Sequence, residues 1–207
     1  VMNWIIGNEV NVRSTWNYMK YIDIVPYARE YAQAVRLFYN GIKSHNANAK
    51  IYISLDQQWN RNLSSNSSYD SKDLLDVFNE CVKALAHHPY SVPMTWPKFW
   101  DLSGEAGELV LETEDTSMVT IYNIDVITSY LQKQEFLMPD GEVRPVLLSE
   151  MGFTSTYGED VQAAAFAYAY YIAENIKYID TGEADAYTEF ARNYLGIQSW
   201  DQVITKR

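Results

Sequence analysis

An α/β fold built on a parallel sheet is what this sequence predicts, and three observations carry it. Short runs of apolar, often β-branched residues alternate with segments of helical spacing. The runs are largely continuous rather than alternating with polar residues, as in strands covered on both faces. No self-similar repeat and no linker breaks the order, so residues 1–207 read as a single unit.

The elements follow in sequence. "NWIIGNE" (3–9) is an apolar run that ends in Asn8–Glu9. Ile24, Tyr27, Tyr31, Val35, Phe38 and Ile42 recur at spacings of three and four, which predicts an amphipathic helix over 24–45. "KIYISLD" (50–56) is a second strand, closed by the polar stretch "NRNLSSNSSYD". Asp70 or Ser71 is placed to cap a helix running to about Cys81. "VKALAHH" (82–88) is a third strand, closed by Pro89. A long irregular segment (89–115) carries an acidic run from Glu105 to Asp115, read as a solvated loop. Helical spacing returns over 118–132, and a turn at "PDGE" leads to "VRPVLLSEMGF" (143–153), the clearest strand. "EDVQAAAFAYAYYIAENIKY" (159–178) is an Ala-rich helix whose small side chains suit close packing on a sheet. A last helix is expected over 183–195 with Gly196 terminating it, and Ser199 with Gln202 offers a capping box.

Composition narrows the function. The formal net charge is −11 with no Lys/Arg cluster, which argues against nucleic acid or an anionic membrane surface as a partner. No apolar run approaches the roughly 20 residues of a membrane span. The lone cysteine, Cys81, permits no intrachain disulfide and no thiolate metal site, and is expected in the core. His87 and His88 are adjacent, but only His45 remains elsewhere, so no metal site is expected. No Walker loop, dinucleotide fingerprint or G-x-S-x-G elbow is present, and no cofactor is expected. Six Trp and seventeen Tyr, by contrast, exceed the needs of a core. Their flat faces with one polar edge suit a surface that grips flat, amphipathic ligands. Trp4 and Trp200 are read as packing residues. Trp59, Trp96 and Trp100 are candidate ligand contacts.

In parallel α/β folds ligands bind beyond the carboxyl ends of the strands. Those ends carry Asn8–Glu9, Asp56 to Trp59, His87–His88 with Tyr90, and Ser149–Glu150. Two of the four strands thus end in glutamate. If the sheet curves, both carboxylates enter one mouth, and paired carboxylates are what glycoside hydrolysis needs.

"IIGNEVN" and "VLLSEMGF" resemble the catalytic strand ends of clan A glycoside hydrolases, which are (β/α)8 barrels with a retaining mechanism. With "HHPY", "FWD" and "LLSEMGFTS" they look still more like an uncharacterised family of bacterial barrel proteins related to that clan. The resemblance spans roughly Asn3 to Asn175. It implies a TIM-barrel-like fold present in part, about four parallel strands with flanking helices, corresponding to strands four to seven. It implies Glu9 as acid/base, Glu150 as nucleophile, and Asn8 as hydrogen-bond donor to a sugar hydroxyl. Tyr90 or His88 would orient Glu150, and Trp59, Trp96 and Trp100 would stack on sugar rings. An oligosaccharide or polysaccharide substrate follows, as does a secreted or cell-surface location in a bacterium. Any targeting segment is expected upstream of Val1.

The chain departs from that pattern at both ends. Counterparts of strands one to three do not precede "NWIIGNE", and a helix is expected where strand eight would lie. Four strands cannot close an eight-stranded barrel, so an open edge is expected at "NWIIGNE". Two other functions are therefore carried forward: a non-catalytic carbohydrate-binding barrel protein, and a structural half-barrel that associates through its open sheet edges.

Overall fold

The computed structural model describes residues 2–16, 20–61, 68–79 and 84–180. Five parallel strands form one sheet in simple sequence order: β1 (Asn3–Ile5), β2 (Lys50–Leu55), β3 (Leu85–His87), β4 (Val146–Leu148) and β5 (Ile179–Asp180). Trp4 pairs with Ile51, Ile53 with Leu85, Leu85 with Val146, and Val146 with Ile179. Helices α1 (Arg13–Trp16) and α2 (Ile24–His45) connect β1 to β2, and α3 (Ser71–Phe78) connects β2 to β3. Helices α4 (Glu105–Leu109) and α5 (Asp125–Tyr130) precede β4, and α6 (Glu159–Asn175) leads to β5. This is an incomplete α/β barrel-like arrangement.

Strand β5 was not expected. It occupies two residues just past the segment read as a helix (159–178), and a strand that short leaves no periodic signal. The acidic run also differs from expectation: its first half winds into α4, where Ala106 and Val110 pack against Val92 and Met118. The expected helix over 118–132 contracts to α5, because residues 118–123 are held by loop contacts instead. Asn123 Nδ2 donates to the Leu111 carbonyl at 2.7 Å, and its Oδ1 accepts from the Thr120 amide at 2.9 Å. Cys81, the helix over 183–195, Gly196, the Ser199–Gln202 cap and Trp200 lie outside the described residues.

Successive side chains of a strand face opposite ways. The core lies on the helix side, where Ile53, Leu55, Leu85 and Val146 meet Tyr27 and Ala28 of α2. Leu74, Leu75 and Phe78 of α3 and Ala165 and Ala169 of α6 complete that layer. Ala165, Ala167, Ala169 and Ala173 of α6 are buried, as close packing on the sheet requires. On the other face Tyr52 packs with Ala84 and Ala86, and its hydroxyl donates to Asp180 Oδ2 at 3.0 Å. Lys50 Nζ reaches the same oxygen at 2.5 Å. A side chain of β2 thereby meets one of β5 across β3 and β4, so the sheet is concave on this face.

β1 is an edge strand, and Trp4 is 40% exposed rather than in the core. The one neighbour of β1 among the described strands is β2. Helix α2 spans the predicted residues, yet only Tyr27 and Ala28 are buried along it. Leu37 and Phe38 are 74% and 56% exposed.

Candidate active site

The carboxyl end of β1 turns sharply. Gly7 adopts φ +84°, and a Cβ there would stand 2.9 Å from Val10 Cγ1, so the turn requires glycine. Glu9 also has a positive φ of 39°, a conformation that costs a non-glycine residue roughly 1 kcal/mol. The strain is held by the surroundings. The Glu9 carbonyl accepts from the Val12 amide at 2.7 Å, and the Val10 amide donates to the Ser54 carbonyl at 2.8 Å. The Glu9 amide donates to Ser54 Oγ at 3.3 Å. The result aims the Glu9 side chain over the ends of β2 and β3.

There His88 receives it. His88 is the first residue past β3, and its amide donates to the Leu55 carbonyl at 3.1 Å, which fixes the ring's origin. His88 Nδ1 lies 2.9 Å from Glu9 Oε1, and Nε2 lies 3.0 Å from Ser54 Oγ. The second oxygen of Glu9, Oε2, accepts from the indole Nε1 of Trp16 at 2.6 Å. Burial by itself would raise the Glu9 carboxyl, but the His88 and Trp16 hydrogen bonds and the nearby imidazoles hold it below its ordinary value.

Glu150 reaches the same His88 nitrogen from the end of β4. It stands two residues past β4, and Glu150 Oε2 lies 3.7 Å from His88 Nδ1. Its Oε1 accepts from the Tyr90 hydroxyl. Burial, that hydrogen bond and the charge of Glu150 all raise the Tyr90 phenol, so it stays a donor at neutral pH. Glu9 and Glu150 therefore touch one imidazole nitrogen, and an oxygen of each lies within about 7 Å of the other. Retaining chemistry uses ~5–5.5 Å between carboxyl groups and inverting chemistry ~6.5–9.5 Å.

The remaining sequence candidates divide. Asn8 is exposed at the rim beside Glu9. Trp59 is not a ligand contact: it is fully buried, edge-on to Tyr130 with ring centroids 5.1 Å apart, and its Nε1 donates to the Glu114 carbonyl at 3.1 Å. An indole N–H that finds a carbonyl can be buried like any large apolar side chain. Trp100 is half-buried between Phe99 and Tyr168, at 5.1 and 5.6 Å between centroids. Trp96 is half-buried and meets the exposed Tyr157 edge-on at 4.8 Å, with Lys98 Nζ 5.8 Å above its ring.

Asp56 is buried and tied to Asn11 and Gln58, with Asn11 Nδ2 donating to Oδ1 at 2.5 Å and Gln58 Nε2 to Oδ2 at 2.7 Å. Burial raises its carboxyl despite those bonds. It links the loops after β1 and β2. His87 turns to the helix side, where its Nε2 meets the Val119 carbonyl at 3.0 Å, and desolvation lowers its imidazole to about 4. Among the described residues no group of three or more His, Cys, Asp or Glu side chains is arranged to hold a metal ion, and no helix is long and apolar enough to cross a membrane.

Three members of the site went unread in the sequence. Ser54 had a signal, because Tyr52, Ser54 and Asp56 alternate with Ile51, Ile53 and Leu55 and so share the concave face. Trp16 and Tyr157 had none, since their approach depends on loop geometry.

Together these features define a class: a curved parallel sheet with a carboxylate–imidazole–carboxylate cluster at its strand ends. Residues 1–181 match a family of unknown function (DUF5722), and the chain belongs to that family. No curated protein matches it significantly. Among solved structures, a family 39 glycoside hydrolase from the gut symbiont Bacteroides cellulosilyticus WH2 is similar, with a TM-score of 0.39 and 17% sequence identity. The match covers 75% of this chain and 36% of that enzyme, so the chain spans little more than a third of the enzyme's length.

Proposed function

We propose that this chain carries the two-carboxylate site of a retaining glycoside hydrolase acting on O-glycosidic bonds of an oligosaccharide or polysaccharide. The observation that carries the proposal is the single imidazole nitrogen of His88 in contact with both Glu9 and Glu150. Two glutamates from strand ends 141 positions apart in sequence (9 and 150) meet there with one oxygen each.

Glu150 is the nucleophile. It is half-exposed, and the Tyr90 hydroxyl holds one oxygen so that the other is free to attack the anomeric carbon. Attack breaks the glycosidic bond and forms a glycosyl ester on Glu150. Glu9 gives a proton to the departing oxygen, then takes one from the water that cleaves the ester. In the free protein Glu9 is held ionised, the state suited to the second half. For the first half it must gain a proton. A sugar that displaces the Trp16 indole from Oε2 removes one of the contacts that lower Glu9, and the exclusion of water raises it further. Trp96 with Tyr157, and Trp100, are the aromatic faces available to a sugar.

Kinetics on an activated aryl glycoside test the assignment. Glu150→Gln abolishes turnover. Glu9→Gln spares the activated substrate but slows one with a poor leaving group by ~10²–10⁴-fold, the range of general acid catalysis. Turnover by Glu150→Gln equal to the wild type removes the proposal.

A second function is favoured by the exposed apolar side chains of Trp4 and Ile5 on β1 and of Leu37 and Phe38 on α2. Among the described residues the sheet ends at β1 and β5, and open edges and apolar patches promote association. A half-barrel that pairs through them would sediment as a concentration-dependent oligomer. A clean monomer at high concentration excludes it.

A further inference from the structure

We infer that Ser54 is a positioning residue for Glu9: its hydroxyl fixes the proton of His88 on Nδ1, facing the carboxylate, while accepting the Glu9 backbone amide. The inference rests on the acid/base assignment of Glu9, but its test does not.

Hydrogen-bond valence supplies the reason. A serine hydroxyl has one proton and two lone pairs. The Glu9 amide donates to Ser54 Oγ at 3.3 Å, taking one lone pair. The Ser54 proton is then directed at His88 Nε2, 3.0 Å away. A neutral imidazole that accepts at Nε2 carries its proton on Nδ1, and Nδ1 faces Glu9 Oε1 at 2.9 Å. The opposite tautomer would set a bare Nδ1 lone pair against a carboxylate oxygen and leave the Ser54 proton without either neighbour as acceptor. Of the two neutral tautomers only this one gives each of these atoms a matching partner.

The order Ser54–His88–Glu9 has the spacing of a nucleophilic triad, but the serine cannot act as one. Ser54 is fully buried inside β2, and no substrate carbon reaches its hydroxyl. Its burial is what makes it a fixed reference. One oxygen addresses both the strained backbone of Glu9 and, through His88, its side chain. The groups that face the His88 ring are Glu9 from the end of β1, Glu150 from the end of β4, Ser54 from β2 and the Tyr90 ring, edge-on at 6.3 Å; His87 adjoins it in sequence.

The chain labelled with ¹⁵N-histidine reports the tautomer through long-range ¹H–¹⁵N correlations, recorded well above the ordinary imidazole pKa of about 6.5. His88→Asn assigns the signal. The wild type shows a protonated Nδ1 and a bare Nε2 at His88. Ser54→Ala populates the Nε2–H tautomer and moves the Glu9 carboxyl titration upward, whereas Ser54→Thr, which keeps the hydroxyl, leaves both in place. A protonated Nε2 in the wild type, or an unchanged spectrum in Ser54→Ala, overturns the inference. With a substrate in hand, Ser54→Ala lowers kcat for a poor leaving group on the order of tenfold with little change in KM, the scale of other groups that orient a catalytic side chain. If Glu150→Gln leaves turnover intact, the glycosidase assignment fails while the tautomer result still decides Ser54.

Discussion

His87 and His88 are neighbours in the chain and face opposite sides of the same sheet. His87 enters the helix-side layer beside Ile53, Leu55 and Val119, where a backbone carbonyl meets one nitrogen and the ring stays neutral. His88 enters the concave mouth and is met on both nitrogens by side chains that specify its proton. The residue type is the same and the burial is similar. What differs is the partner: a carbonyl in an apolar layer makes the ring a packing element, whereas a hydroxyl and two carboxylates make it a connector. The two sides of the sheet differ in the same way, with the apolar core on the helix side and the carboxylate–imidazole cluster on the concave side.

The largest effect expected from breaking that division falls on the helix side. Leu55 is fully buried, and Leu55→Ala should cost about 2–5 kcal/mol by denaturant unfolding. The His88 tautomer signal of the folded fraction should not change. Next comes acid. The folded state lowers His87 from 6.5 to about 4, so the unfolded chain takes up the proton first as pH falls. The stability attached to a neutral His87 is complete above about pH 6.5 and is lost towards about pH 4, by about 3 kcal/mol. His87→Leu should flatten the unfolding free energy across that window; a slope unchanged by the substitution would separate the two histidines less sharply than the geometry does.

On the concave side the effects expected under the proposed function are kinetic and smaller in free energy. Tyr90→Phe removes the donor to Glu150, and loss of a hydrogen bond to a charged group, ~1.5–3 kcal/mol, lowers kcat about 10–100-fold. Its denaturation midpoint should move far less than that of Leu55→Ala. The smallest effect is Trp16→Phe, which changes stability within about 0.5 kcal/mol at an exposed site but raises the Glu9 titration followed by carboxyl NMR. The sign follows from the shift. Glu9 is lowered in the fold, so its contribution is present above the ordinary carboxylate range and disappears as pH falls through its folded value. Trp16→Phe shrinks that contribution.

The first four strands and helices α2, α3 and α6 were legible because each presents a run or a period that only one kind of element satisfies. β5 was illegible because two residues cannot display a pattern, and α4 because an acidic stretch reads as solvated until Ala106 and Val110 are seen against Met118. Glu9, His88, Tyr90 and Glu150 could be singled out since a parallel sheet gathers its strand ends on one side. Trp59 was drawn to the wrong place by the same rule. It follows β2 directly, yet the chain turns back there: the Trp59 amide donates to the Ser117 carbonyl at 3.0 Å and carries the indole into the core. Ser54 escaped notice because it lies inside β2 rather than at its end; the alternation gives its face but not its partner.

The bond from Tyr52 and Lys50 to Asp180 acts as a chord drawn across the arc of the sheet, well away from the mouth. Cutting it with Asp180→Ala would let the arc flatten, and the ends of β1 and β4 would spread like the tips of an opening fan. The gap between the two glutamates would thereby be set from below, by a residue of β5.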